Sequence, residues 1–146
     1  MSLRLIATAV AALALVGCAN VPMGDPAQDA KLKTFPSASA GKAGVYIYRN
    51  ETFGAAVKLN VALDGQALGS TASKTYFYKE VAPGKHTVTS YGENTDTLNF
   101  DAIAGKLYYV WQEVKMGMFG PRTQLHMATE KDGQAGVGES KLAQPH

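Results

Sequence analysis

The residues best placed for chemistry are Leu15-Val16-Gly17-Cys18, which end a short apolar stretch near the start of the chain. A small residue here precedes a cysteine, so a signal peptidase can cut on the N-terminal side of Cys18, whose thiol first receives a diacylglycerol group. The apolar run Leu5 to Val16 has signal-peptide length, whereas a membrane-spanning helix needs about 20 apolar residues. Cys18 is the only cysteine. The sequence therefore predicts a lipoprotein, with an ordinary cleaved signal peptide as the alternative.

The residue after the predicted lipidation site indicates which membrane holds the protein. Lipoproteins that stay at the inner membrane of two-membrane bacteria commonly carry Asp at this position, and the chain has Ala19. It thus resembles the outer-membrane pattern, and we expect the periplasmic face of the outer membrane rather than the inner membrane. Each buried methylene of an acyl chain such as palmitate contributes about 0.8 kcal/mol, so two or more chains make a permanent anchor. The membrane is therefore the first predicted partner.

Two histidines raise the question of a metal site. His86 and His126 could meet Glu80 or Glu113, but the sequence has no His-x-His or His-x-x-x-His pair. A metal site needs three or four converging ligands. We therefore predict no metal and no cofactor, with each histidine satisfied by its strand neighbours.

Catalytic signatures are also missing from the sequence. It contains neither a Gly-x-Ser-x-Gly elbow nor a glycine-rich phosphate cradle, and Asp96 and Asp101 lie in or beside an alternating strand that places them in solvent. Once Cys18 is acylated no thiol remains for catalysis. The net charge of only +2 argues against a nucleic-acid partner. We predict no catalytic residues and no enzyme, and an envelope hydrolase with a dispersed site is the enzymatic alternative.

Two groups of apolar residues are candidates for binding. The first is an aromatic surface formed by Tyr46, Tyr48, Tyr76 and Tyr78. If exposed, it would bind sugars, peptides or a protein, and the alternative is that cross-strand aromatic pairs stabilise the sheet. The second is the loop Met116-Gly117-Met118-Phe119-Gly120-Pro121. Met116, Met118 and Phe119 on such a loop favour contact with a partner or the membrane, and the alternative is a loop folded back over one end of the domain.

The elements that must position these residues are β-strands, because apolar residues alternate from Gly44 onward. The strand-like segments are bounded by turn dipeptides such as Asp64-Gly65 and Pro83-Gly84. They are residues 44–50, 58–65, 74–81, 85–91, 95–103, 106–115 and 122–129. Seven short strands with little helical periodicity predict an all-β fold, an antiparallel sandwich, with an open barrel as the alternative.

The sequence divides into four predicted parts. They are the signal peptide 1–17, the lipidated N-terminus and tether 18–43, the sandwich 44–129 and a mobile C-terminal tail 130–146. Prolines argue against regular pairing in the tether, whose random-coil reach is about 25–30 Å. Phe35 is a candidate for strapping the tether onto the domain. The tail has three glycines and little apolar content, which is typical of a mobile segment.

Four segments together resemble a family of bacterial envelope lipoproteins that share a domain of unknown function. They are Lys31 to Phe35, Lys42 to Arg49, Val81 to His86 and Ala104 to Val110. The resemblance covers roughly Lys31 to Thr129. The family is similar in outline to PEGA and carboxypeptidase-regulatory-like sandwiches. In these sandwiches a Pro-Gly turn leads into a strand that begins at a basic residue and His. The resemblance implies a β-sandwich and transfers no catalytic residue.

The leading hypothesis is a lipid-anchored envelope protein that acts as a non-enzymatic binding or assembly module with a protein partner. Tethering replaces free encounter by a high effective concentration, so even a weak contact is occupied. The alternatives are a glycan- or peptidoglycan-binding lipoprotein that uses the four tyrosines, and the hydrolase with a dispersed site.

Overall fold

Two β-sheets packed face to face form the fold of residues 20–145, the part of the chain that the computed structural model describes. The predicted sandwich is confirmed. In chain order the elements are α1 (Pro26–Leu32), β1 (Ala43–Arg49), β2 (Leu59–Leu63), β3 (Gln66–Thr71), β4 (Thr75–Val81), β5 (Gly84–Tyr91), β6 (Thr95–Ala102), β7 (Leu107–Met116), β8 (Pro121–Ala128), α2 (Glu130–Gly138) and β9 (Lys141–Leu142). None of the helices within residues 20–145 has the length and apolar character to cross a membrane. The predicted signal peptide and Cys18 lie outside the described residues.

Strand β1 occupies the centre of the larger sheet, whose order is β8-β7-β1-β4-β9. It pairs antiparallel with β4, with Tyr46 opposite Tyr78, and parallel with β7, with Tyr46 opposite Tyr109. The pair β4–β9 is also parallel. These two parallel pairs depart from the predicted antiparallel arrangement. They arise because the chain passes through the other sheet between β1 and β7, and through α2 before β9.

The smaller sheet has the order β3-β2-β5-β6 and contains one strand that the sequence pattern does not predict. Strand β3 lacks regular alternation, and its pairing with β2 shifts between Val61 and Ala62. The predicted Asp64-Gly65 turn joins β2 to β3. Its φ angles of 51° and 77° are those of the hairpin turn that this dipeptide favours. The remaining predicted strands agree with the structure to within two residues at each end.

The main core lies between the two sheets, where alternate residues of the strands meet. Apart from the alanines, its most completely buried members are Val45, Ile47, Val61, Phe77, Val88 and Val110. Because neighbouring residues of a strand point to opposite faces, Tyr46 and Tyr48 of β1 lie on the outer face of the larger sheet. That face is buried as well, so every residue of β1 is buried.

A second apolar layer covers this outer face. It joins tyrosines of three strands to residues of α1, α2 and β9, namely Leu32, Tyr46, Tyr48, Tyr76, Tyr109, Val137 and Leu142. The rings of Tyr46 and Tyr109 stack with their centroids 5.3 Å apart. The larger sheet is therefore covered by the other sheet on one side and by the segments that flank the strands on the other.

The predicted flexible tether is corrected by the structure for residues 20–43. Asp25 caps α1 by accepting a hydrogen bond from the Ala27 backbone N–H at 3.0 Å, and Pro26 occupies the first turn, where a missing N–H costs nothing. The Tyr46 hydroxyl donates to the Leu32 carbonyl at 2.9 Å. The Phe35 ring lies 5.6 Å from that of Tyr46, which agrees with the expected strap. Pro26, one of the prolines that argue against regular pairing, thus starts a helix.

The predicted mobile C-terminal tail is also corrected, for residues 130–145. Thr129 caps α2 by accepting from the Asp132 N–H at 3.2 Å. Gly133 and Gly136 are buried where the helix approaches the rings of Tyr109 and Tyr48, and a Cβ at either position would collide with them. The glycines that suggested mobility therefore permit close packing of the helix on the sheet.

We expect Gly136→Ala to destabilise the fold by about 1–3 kcal/mol, because the added methyl must displace the buried ring of Tyr48. The matched control is Gly138→Ala in the same helix, where an added Cβ meets nothing within 4 Å. Urea denaturation gives the free energy of unfolding of each variant. Equal stabilities of the two variants would contradict the packing of α2 on the tyrosine layer.

Candidate functional site

Four connections between strands lie together at one end of the sandwich, which we call the loop end. They are residues 50–58, 72–74, 92–94 and 117–120. The Ser73 hydroxyl donates to the Glu51 carbonyl at 2.5 Å, and the Glu93 N–H donates to the Pro121 carbonyl at 2.6 Å. The first bond joins the connections 50–58 and 72–74, and the second joins the connection 92–94 to the start of β8, directly after the connection 117–120.

The most exposed apolar residues of the described chain are at the tip of the β7–β8 connection. Met116 is 78% exposed, Met118 84% and Phe119 89%. Of the two interpretations of this loop, the one that folds it back over the domain is wrong for these three side chains. Exposed apolar residues grouped on a surface are typical of a site that contacts a protein or a lipid.

The connection at 92–94 braces this tip. Asn94 bonds both ways with Thr123, donating to its carbonyl at 2.9 Å and accepting from its N–H at 2.8 Å. The Glu93 carboxylate accepts from the Phe119 N–H at 3.4 Å. Gly117 is pressed against that carboxylate and the Gly120 carbonyl so closely that a Cβ would collide with both. The tip therefore has a defined conformation that depends on Gly117.

A fully buried arginine holds the connection at 50–58. The Arg49 guanidinium donates to the carbonyls of Gly54 and Val57, both at 2.7 Å. Burial lowers the pKa of Arg49, and Glu51, with its carboxylate 3.9 Å away, partly offsets this effect. Glu51 also accepts from the Trp111 indole at 3.1 Å and the Val114 N–H at 3.0 Å. The first connection is thus fixed to the interior and to β7.

A chain of buried hydrogen bonds joins the two sheets just beneath the loop end. Gln112 accepts from the Thr71 hydroxyl at 2.5 Å and donates to the Ser90 hydroxyl at 2.7 Å. Ser90 and Thr123 share a further bond at 2.7 Å. Arg49 and Gln112 were not predicted from the sequence as organising residues. The available signal was a polar side chain inside a strand that is apolar on both faces.

The proposed aromatic surface does not exist as an exposed face. Tyr46 and Tyr76 are 0% exposed and Tyr48 4%, while Tyr78 is half-buried beside Tyr46. Burial raises the pKa of Tyr46 and Tyr76, and that of Tyr48 to about 12, so their hydroxyls remain neutral. The alternative interpretation, in which the rings stabilise the sheet, describes their packing. The glycan-binding hypothesis therefore loses the surface on which it was based.

The two histidines lie on different sheets and have separate partners. His86 bonds through Nδ1 to Asp64 and through Nε2 to the Ala82 carbonyl, both at 2.6 Å. His126 bonds to Glu113 at 2.7 Å, and its ring stacks on Trp111. Among residues 20–145 no group of three His, Cys, Asp or Glu side chains is arranged to hold a metal ion.

The pair formed by His86 and Asp64 joins the β2–β3 turn to β5. Burial opposes protonation of His86, but the bonds to Asp64 and to the Ala82 carbonyl raise its pKa above the usual value. For Asp64, slight burial opposes ionisation, but the bonds from His86 and from the Thr87 N–H lower its pKa. The pair lies at the end of the sandwich opposite to the loop end.

Comparison with known proteins identifies similar sequences. Residues 39–123 match the family described as "Protein of unknown function (DUF2846)". An uncharacterized protein of Haemophilus influenzae is 33% identical over 137 residues, which cover 92% of this chain and 81% of that protein. No solved structure matches the chain significantly. The family match runs from before β1 into β8 and so includes the four connections of the loop end.

We expect Gly117→Ala to change the conformation of the β7–β8 tip, because its Cβ would displace the Glu93 carboxylate and the Gly120 carbonyl. Amide NMR shifts of Glu93 and Phe119 report this change. Gly120→Ala is the matched control in the same loop, since a Cβ there meets nothing within 4 Å. Similar spectra for the two variants would show that the tip does not depend on Gly117.

We expect Asp64→Asn to lower the pKa of His86, measured by NMR titration of the ring protons, because the charged partner is lost. The His86 contribution to stability is complete below about pH 6.5 and is lost as the pH rises through the raised pKa. The Asp64 contribution is complete above about pH 4 and is lost at lower pH. The variant should therefore lose stability mainly between about pH 4 and about pH 6.5. The loss should be about 1 kcal/mol or less, because Asp64 is exposed. An unchanged His86 titration would contradict the pairing.

Proposed function

The chain belongs to the DUF2846 family, and we propose that it is a lipid-anchored, non-enzymatic binding or assembly module of the bacterial cell envelope. The observation that carries the proposal is the exposed apolar tip. Phe119 is 89% exposed, while its backbone N–H is bonded to the Glu93 carboxylate. A side chain of this kind contributes about 1.5–3 kcal/mol when it leaves water completely. Such a tip is suited to contact with another apolar surface and has no role in the core.

The anchor in this proposal is Cys18, and the position of the first described residue, Asn20, supports it. Asn20 lies only two residues after Cys18 and is already part of the surface beside Ser73 and Lys74. The Gly24 N–H donates to the Leu142 carbonyl at 2.9 Å. Because residues 20–43 are held against the sandwich, the domain would lie directly at the membrane. It would not be separated from the membrane by a long flexible tether. The likeness to envelope lipoproteins and the outer-membrane location suggested by Ala19 belong to this proposal.

The absence of an enzymatic role is also part of the proposal. The polar side chains that cluster in the described structure have structural partners: Arg49 bonds to loop carbonyls, and Gln112 to Thr71 and Ser90. His86 and His126 are each paired with one carboxylate. A module of this kind would work by local concentration, since an anchored domain meets an envelope partner at high effective concentration.

We expect Cys18→Ala to abolish the lipid anchor, so that the protein moves from the detergent phase to the aqueous phase and its gel mobility changes. Gly17→Ala is the matched control, because it keeps a small residue before the cysteine and should leave processing intact. The measurement is detergent partition and mobility of the protein expressed in a two-membrane bacterium. Unchanged partition and mobility of Cys18→Ala would refute lipidation.

Cross-linking in the same cells tests the module itself. A specific envelope partner should be captured with the wild type and lost with Cys18→Ala, because the variant no longer benefits from local concentration. Capture that is equal in the two strains would contradict the proposed mechanism.

A further inference from the structure

We propose that the loop end faces the bilayer that carries the lipid anchor, and that Met118 and Phe119 insert at the boundary between its headgroups and acyl chains. This inference rests on the proposed function and names the partner of the same site. It gives the domain a fixed orientation, in which the end of the sandwich near His86 and Ile103 points away from the membrane.

The described residue nearest to Cys18 in the chain lies at the loop end. This residue, Asn20, lies beside Ser73 and Lys74, which belong to the β3–β4 connection. Two residues of fully extended chain span at most about 7 Å, so an acylated Cys18 cannot be far from this end. Strand β7, which carries the tip, is two strands away from β4, or about 10 Å. The anchor and the tip would thus contact one bilayer at two separated points.

Exposed apolar residues are unevenly distributed over the domain. Of the eight large exposed apolar side chains among residues 20–145, five lie in the connections of the loop end or directly beside them: Phe53, Tyr91, Met116, Met118 and Phe119. The other three are Met23, Ile103 and Met127. Ile103, which is 54% exposed, lies at the opposite end. A protruding tip fits a deformable lipid surface, whereas a protein partner would have to supply a matching pocket.

Two basic residues lie just below the tip. Lys115 and Arg122 are both exposed and directly opposite each other on the rung next to the last one between β7 and β8. Like charges at such a position repel each other, and an anionic group placed between them removes the repulsion. The Lys115 ammonium lies 3.9 Å from the nearest carboxylate oxygen, that of Glu113, which also pairs with His126.

Further basic residues occupy the same end. Lys58 and Lys74 are exposed just before β2 and β4, and Lys141 is exposed at the start of β9. The exposed acidic residues of this end are Glu93 and Glu139, so basic residues are in excess there. Basic residues around an inserted apolar tip are suited to the phosphate groups of anionic lipids. The apolar tip, the basic pair of Lys115 and Arg122 below it and the position of Asn20 therefore indicate the same partner, a phospholipid surface.

The test uses the lipidated protein in vesicles. In Phe119→Cys the new thiol is the only free one, because the chain has a single natural cysteine and it is acylated in the proposed protein. The thiol is labelled with the fluorophore NBD, and the purified protein is reconstituted into vesicles of phosphatidylethanolamine and phosphatidylglycerol in equal parts, with or without bromine on the acyl chains. Ile103→Cys, labelled in the same way, is the matched control at the opposite end. The wild type should take up no label.

We expect brominated lipids to quench the probe at 119 about twofold or more over the probe at 103, because only the former reaches the depth of about 5–10 Å at which apolar side chains insert. Equal quenching at both positions, in protein that floats with the vesicles, would overturn the orientation while leaving the anchor intact. A probe at 119 that is shielded from water but not quenched by bromine would also overturn it, since a protein then covers the tip. Protein that does not float, and whose wild type takes up label at Cys18, would overturn the anchor and this inference together.

Discussion

Strand β1 is buried along its whole length on both faces, and the rest of the structure depends on covering both of them. The inner face, with Val45 and Ile47, requires the second sheet. The outer face carries Tyr46 and Tyr48, whose large rings need an equally complete cover. This cover comes from the segments on either side of the strands, which is why α1, α2 and β9 are integral parts of the fold. The sandwich therefore has three layers, with the larger sheet in the middle.

The period-two pattern was enough to predict the sandwich and most of its strand ends, because alternation is a local property of a half-buried strand. The flanking segments could not be predicted in the same way. Pro26 and Gly136 each have two meanings in a sequence: a proline interrupts pairing or begins a helix, and a glycine loosens a chain or permits close approach. The role of Gly136 depends on the position of the Tyr48 ring, which is set by contacts distant in sequence. Strand β3 was missed because its pairing is irregular.

In the candidate site, too, some features are visible in the local sequence and others depend on contacts distant in sequence. The unusual composition of the Met116 to Phe119 loop identified it, because apolar residues between glycines are conspicuous in a turn. The tyrosines were equally conspicuous, but the residues that cover them come from α1 and α2. Arg49 and Gln112 attract little attention as single residues in a sequence. Their importance appears only when the carbonyls of Gly54 and Val57 and the hydroxyls of Thr71 and Ser90 are brought to them.

The first and last described segments of the chain are bonded to each other. Gly24 and Gln144 donate to the carbonyls of Leu142 and Pro22, respectively, both at 2.9 Å, and Met23 bridges to Ala143. These bonds cannot form until residues 142–144 have been brought back to residues 22–24. Closing so long a loop is slow and costs entropy, so this contact forms late in folding. Residues 22–24 are therefore held in place only after the C-terminal end of the chain has folded.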